Sequence, residues 1–241
     1  MRDGFRELEA YLDGFAAQLA APPRAILVVS GHWEEPYPTV NAAARPPLLY
    51  DYWGFPDYTY RLTWPAPGAP EIAARVQDLL TDAGIDNARE DTRGWDHGVF
   101  VPLKVMWPDA DIPTVQLSLC RDWDPARHLA IGRALRPLRD EGVLILGSGQ
   151  TYHNLSAGFG ASDPKALAFD TWLRTEMVCP ETRDEALIRW ASAPGARHAQ
   201  PEEDHLLPLM VVAGAASGDP CRIDFHGQAL GKPISGFRFG A

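Results

Sequence analysis

Apolar positions set the first expectations. Phe5, Leu8, Leu12, Phe15 and Leu19 recur at helical spacing, so residues 5–20 are expected to form an amphipathic helix. Pro22 and Pro23 end it. AILVV (25–29) is a short, wholly apolar run, the pattern of a strand buried on both faces. Segment 34–68 loses this order. It is rich in Pro, Tyr and Trp and reads as a long loop region over the core. Loops of that length usually carry function or cover a site. Helical spacing returns over 70–83 and stops at Gly84. TVQLSL (114–119) and VLIL (143–146) read as further strands. Residues 125–140 read as a helix, with Asp124 and Pro125 as its N-cap and first residue. Helices are also expected over 164–178, 183–192 and 202–216, and strand, turn and strand over 222–239. The alternation predicts one α/β domain over residues 1–241, with a mostly parallel central sheet and helices on both faces.

Length and composition agree with that picture. A chain of 241 residues, 46% hydrophobic, can bury a substantial single core. The formal net charge of -10, without a basic stripe, argues against nucleic acid as a partner. Cys120, Cys179 and Cys221 are scattered and odd in number, which speaks against a disulfide framework or a thiolate zinc site. A reducing, cytoplasmic setting is expected. No apolar run is long enough to span a bilayer, and the first residues lack the blocks of a signal peptide.

Polar residues change the picture where strands end. Sites in open α/β sheets form beyond the carboxyl ends of strands. AILVV runs into Ser30-Gly31-His32, and VLIL runs into Gly147-Ser148-Gly149 and on to His153. Glycines there allow tight turns or close approach of backbone to a ligand. His97 lies in the turn-like Gly94-Trp95-Asp96-His97-Gly98, and His205 follows Asp204 at a helix start. Asp204 is expected to cap that helix or to orient His205. Imidazole binds borderline metals and moves protons near neutral pH. Yet no two of these histidines are close in sequence, so spacing alone gives no metal motif. Each could equally be a structural histidine. His128, His198 and His226 lack comparable context and read as surface or supporting residues. Trp33, Tyr50, Tyr52, Trp53, Phe55, Tyr58 and Tyr60 would form either a pocket wall for a planar substrate or a lid packed on the sheet. The Gly-Ser-Gly turn lacks a phosphate-loop lysine, and no GxSxG nucleophile elbow occurs.

The ordered set SGHWEEP, DYWGFP, WPAPGAPEIA, RGWDHGVFVPLK, PDADIPTVQLSL, LGSGQTYHNL, EEDHLLPLMVVAGAA and GFRFG is more specific than any one piece. Together these segments resemble the class III extradiol ring-cleavage dioxygenases, in the DOPA-dioxygenase-like branch, from about residue 5 to the end. The resemblance implies a metal held by His32 and His205, with His153 beside it as acid/base and sometimes as a ligand. It implies that His97 contacts substrate or assists proton transfer. It further implies Fe(II) for activity, with Zn(II) able to occupy the site, and a catechol-type substrate with dioxygen as reactants. A homodimer is the default assembly. Two other functions compete: a non-catalytic binding or scaffold protein of the same fold, and a zinc-dependent hydrolase.

One departure stands out. Family members usually open with a short strand ending in Ser-His-Gly, whose histidine is a further ligand. This sequence begins at Met1-Arg2-Asp3-Gly4-Phe5 without such a segment. The expectation is that the natural start lies upstream. The alternatives are a weakened site, or replacement of the ligand by His198, His226 or a carboxylate.

Overall fold

The computed structural model describes residues 2–158, 160 and 163–240. The elements run in order: α1 (Arg6–Asp13), β1 (Ala25–Glu35), β2 (Thr39–Asn41), α2 (Pro70–Asp82), β3 (Ala88–Glu90), α3 (His97–Met106) and β4 (Thr114–Cys120). There follow α4 (Pro125–Leu135), α5 (Pro137–Asp140), β5 (Val143–Ser148), α6 (Pro164–Met177), α7 (Arg183–Ile188), α8 (Ala196–Ala199), α9 (Leu207–Ala216), β6 (Cys221–Ala229) and β7 (Lys232–Phe239). Five strands form the central sheet in the order β3-β2-β4-β1-β5. All neighbours are parallel except β2 with β4. The antiparallel β6–β7 hairpin stands apart, as the sequence pattern predicts.

Alternation along β1 sorts the core into two. Ala25, Leu27 and Val29 face a cluster built with Val115 and Leu117 of β4 and with apolar residues of α2, α4, α6 and α9. Ile26 and Val28 face the other way, into Val99, Phe100 and Leu103 of α3 and into Trp64, Trp95 and Trp107. Each strand residue is buried whichever way it points, so the run shows no polar member until Ser30. Helices therefore cover both faces, as expected.

Several element boundaries differ from the pattern reading. The helix over 5–20 is shorter: α1 ends at Gly14, whose N–H bonds the carbonyl of Ala10, and only a 3-10 turn follows at Ala16–Gln18. Pro137 has no N–H to continue α4, so 125–140 divides into α4 and α5. Asp124 does cap α4, accepting from the N–H of Ala126 at 2.9 Å. The helix expected from 202 starts only at Leu207, and Asp204 is not its N-cap. The expected loop 34–68 contains the end of β1, all of β2 and a 3-10 turn at Asp57–Arg61.

Candidate active site

The distal part of β1, the segment after β5, the start of α3 and the turn before α9 bring four histidines together. Beyond Val29, β1 leaves the regular ladder. Between the pairs Val29–Leu117 and Glu34–Leu119, four residues of β1 pass against one of β4, and pairing with β5 stops at Ser30. This bulge throws His32 out of the sheet. His153 follows the end of β5, held by its N–H on the carbonyl of Ala199 at 2.9 Å, while Asn154 Nδ2 donates to the carbonyl of His198 at 2.8 Å.

His97 is the first residue of α3, a correction to the turn expected there. Its ring centroid lies 3.9 Å from that of His32. His32 stands 4.9 Å from His205, and His205 stacks on His153 at 3.3 Å. The four imidazoles form one continuous row.

Close backbone packing makes the row possible. A Cβ on Gly149 would lie 2.2 Å from the carbonyl oxygen of His205, and one on Gly31 would lie 2.9 Å from that of Asp204. A Cβ on Gly98 would meet Ser30 Oγ at 2.4 Å and His32 Cδ2 at 2.9 Å. Only glycine lets these segments touch.

Beneath His32 lies a buried polar network. Asp96 is fully buried and accepts from Ser30 Oγ at 2.8 Å, from Gln116 Nε2, and from Arg93 Nη2 at 3.4 Å. Ser30 Oγ in turn accepts from the N–H of His32 at 3.2 Å, and Arg93 Nη2 donates to its carbonyl at 3.3 Å. Sequence reading missed this network. Its members are scattered over three segments, and no local spacing marks them.

Electrostatics favour the neutral form of His32, His153 and His205. Burial, then repulsion from His153, His32 and His97, pushes His205 down to about 2. Burial also lowers His32, reinforced by His97, and it lowers His153. Neutral imidazole is the form that offers a lone pair to a metal. Both ring nitrogens of His205 are buried without a hydrogen-bond partner. Buried polar atoms are rarely left so, and an ion at this point would satisfy one of them. The residues thus fit a metal.

Two carboxylates join the donors. Among the described residues, ligand atoms of His32, Asp51 and His97 lie within 4.8 Å of one another, as do those of His153, Asp204 and His205. The expected set of His32, His153 and His205 is therefore shared between two adjoining triads. Asp204 reaches His205, its Oδ2 lying 3.8 Å from Nε2, which is too far for a hydrogen bond. Of the replacements considered for a further ligand, the histidines are elsewhere. His198 Nε2 pairs with Asp163 at 2.8 Å, and His226 Nε2 faces Asp170 at 3.2 Å. Carboxylates alone of that group stand beside the row. His128 is neither surface nor site: it is fully buried, Nε2 accepting from the N–H of Cys120 and Nδ1 facing the carbonyl of Asp124.

The aromatic set divides. Tyr52 meets the His97 ring edge-on at 5.5 Å and packs with Tyr50, Phe55 and Tyr60. Trp53 and Tyr58 are exposed. Trp33 is buried under the Arg93 guanidinium. It lines a hollow of about 450 Å³ with Glu35, Leu48, Glu90 and Arg93, and none of the four histidines borders that hollow.

Comparison with known proteins agrees with the motifs. The family model for the catalytic LigB subunit of aromatic ring-opening dioxygenase matches residues 3–232. A 4,5-DOPA dioxygenase extradiol of Beta vulgaris is 44% identical over 198 residues, 80% of this chain and 74% of that protein. The dioxygenase tasH of Hapsidospora irregularis is 41% identical over 234 residues, 90% of this chain and 72% of its own length. The crystal structure of the uncharacterized protein JW3007 from Escherichia coli K12 superposes with a TM-score of 0.81 at 32% identity, covering 96% of this chain and 92% of that one. With the match running through nearly all of the fold and through every segment that carries a site histidine, the chain belongs to the LigB family of class III extradiol dioxygenases.

Proposed function

We propose that this protein is a metal-dependent dioxygenase that opens a catechol-type ring beside its two hydroxyls. The observation that carries the reading is the row of four adjoining imidazoles, with both nitrogens of His205 buried and unpartnered. Relatives named 4,5-DOPA dioxygenase extradiol support the same chemistry here. His32, His153 and His205 would hold Fe(II), with Asp204 adding a carboxylate oxygen to the donors of His153 and His205. Within that set His153, His205 and Asp204 make the two histidines and one carboxylate that suit non-haem Fe(II) oxygenases. When bound, the ion supplies Lewis acidity and a meeting point for the diol and dioxygen.

The remaining steps fall to the protein. His97 stands where it can take a proton from a substrate hydroxyl, with Tyr52 against its ring. His153, whose neutral form is favoured by burial, can take up a proton and return it as the ring opens whenever its lone pair is not on the ion. The cluster of Tyr50, Tyr52, Phe55 and Tyr60 offers an apolar wall that keeps water from one side. Zn(II) fits the same donors, so its presence in a purified sample would not decide the working metal.

The test is anaerobic loading with Fe(II), followed by a panel of catechols and then air. Oxygen uptake with a yellow ring-opened product is the expected result. Metal binding with hydrolysis and no oxygen uptake would replace this reading with a zinc hydrolase. Neither activity in protein that binds stoichiometric metal would favour a binding or scaffold role.

A further inference from the structure

The segment DYWGFP (51–56) helps to carry the family resemblance, but the chemistry above uses only its aromatic rings. Its first residue reaches the site. Asp51 Oδ1 accepts the backbone N–H of His97 at 2.9 Å and lies 2.8 Å from His97 Nδ1. An oxygen that already accepts from one N–H is placed to accept from the second, so Nδ1 is the nitrogen that carries the proton. In a neutral imidazole the lone pair then sits on Nε2. The ring is fixed from other sides as well. Tyr52 meets it at 89° and the His32 ring lies 3.9 Å from it. Tyr52 is itself tied down, its hydroxyl donating to the carbonyl of Thr59 at 2.7 Å. Turning the ring over would break the Asp51 bond.

We propose that Asp51 is a positioning residue that locks His97 in the Nδ1–H tautomer and leaves Nε2 as the atom that accepts a proton from a bound catechol. The proposal deepens the ring-opening reading and rests on it for the identity of the proton donor. Asp51 acts through His97 and touches no reacting atom. An asparagine in its place keeps the size but can turn an N–H toward Nδ1, which would favour the opposite tautomer.

Two measurements test this on the full chain. The first uses protein labelled with 15N-histidine and loaded with Zn(II) as a diamagnetic ion. Two-bond proton–nitrogen correlations, with His97 assigned through His97→Gln, read the tautomer. Wild type should show a protonated Nδ1, and Asp51→Asn should show a shift toward Nε2–H. The second uses Fe(II)-loaded protein turning over catechol. Asp51→Asn should lower kcat by about 10²- to 10⁴-fold, the range of a lost proton-transfer group, with KM and bound iron unchanged. In a His97→Gln background the same substitution should cost nothing further. An Nε2–H tautomer in wild type, or the same tautomer in both proteins, would overturn the lock. So would an equal loss of kcat in the His97→Gln background, or loss of iron in step with activity. Wild type that shows the Nδ1–H tautomer but opens no catechol would overturn the ring-opening reading and the proton acceptor role together, while the lock itself would stand on the spectrum.

Discussion

Gly149→Ala is the sharpest test of how the site is packed. The new Cβ would lie 2.2 Å from the carbonyl oxygen of His205 and 3.0 Å from its carbonyl carbon. An ordinary carbon–oxygen contact needs about 3.3 Å, so the two backbones must part by about 1 Å. No side chain can rotate away to relieve it, because the atoms in the way are backbone. Overpacking of this kind costs about 1–3 kcal/mol, which for a domain of this size lowers Tm by roughly 2–12 °C. The shift also moves His205 relative to His32 and His153. A disturbed ligand support typically weakens metal binding about 10- to 100-fold. Thermal denaturation of the metal-free chain and equilibrium titration with Zn(II) read the two effects separately. Gly14→Ala is the control. Its Cβ would meet nothing closer than 3.6 Å, at a φ of -84°, so Tm should stay level or rise slightly. A Gly149→Ala protein with wild-type Tm and wild-type Kd for Zn(II) would refute the packing argument.

Other expectations follow from the same contacts. His205→Leu should abolish tight Zn(II) binding, yet the metal-free protein should melt at or above the wild-type temperature, because two unpartnered buried nitrogens disappear; differential scanning calorimetry checks the sign. His128→Leu should do the reverse, costing about 1–3 kcal/mol by stranding the buried N–H of Cys120 while leaving the Kd for Zn(II) unchanged, as urea titration and calorimetric binding would show. Asp163 is held well below the usual carboxylate range; burial opposes this, but bonds from His198 and Lys232 outweigh it. A depressed folded value means that its stabilisation is complete above the unfolded value near about 4 and fades as pH falls below that. Asp163→Asn should therefore flatten the acid limb of the stability–pH curve, measured by urea unfolding at stepped pH.

The layered fold was legible because burial on both faces leaves an unbroken apolar signature in residues 25–29 and 143–146, while 114–119 alternates apolar residues with Thr114, Gln116 and Ser118. Three of the four site histidines, His32, His153 and His205, could be singled out beside strand ends or a helix start, and His97 through its Asp-His-Gly context. What the pattern could not show was pairing across distance. Asp51 meets His97 and Asp96 meets Gln116 only after the chain has folded, and nothing local distinguishes those acids from exposed ones. Short elements such as β2, β3 and α8 escaped for a related reason. Three or four residues are too few to display a period, and their conformation is set by neighbours such as Asn41 Nδ2 on the carbonyl of Arg93. His128 was misplaced because a buried, doubly bonded histidine has no outward mark in sequence.

The bulge at the tip of β1 has an implication for adaptability. Ladder pairing lapses over Gly31–Trp33, and the main-chain groups of His32 are secured by Ser30 and Arg93. The position of the imidazole is thereby set by these side chains rather than by the strand ladder. Side-chain replacements around that loop could retune the donor's reach by fractions of an ångström without disturbing strand register.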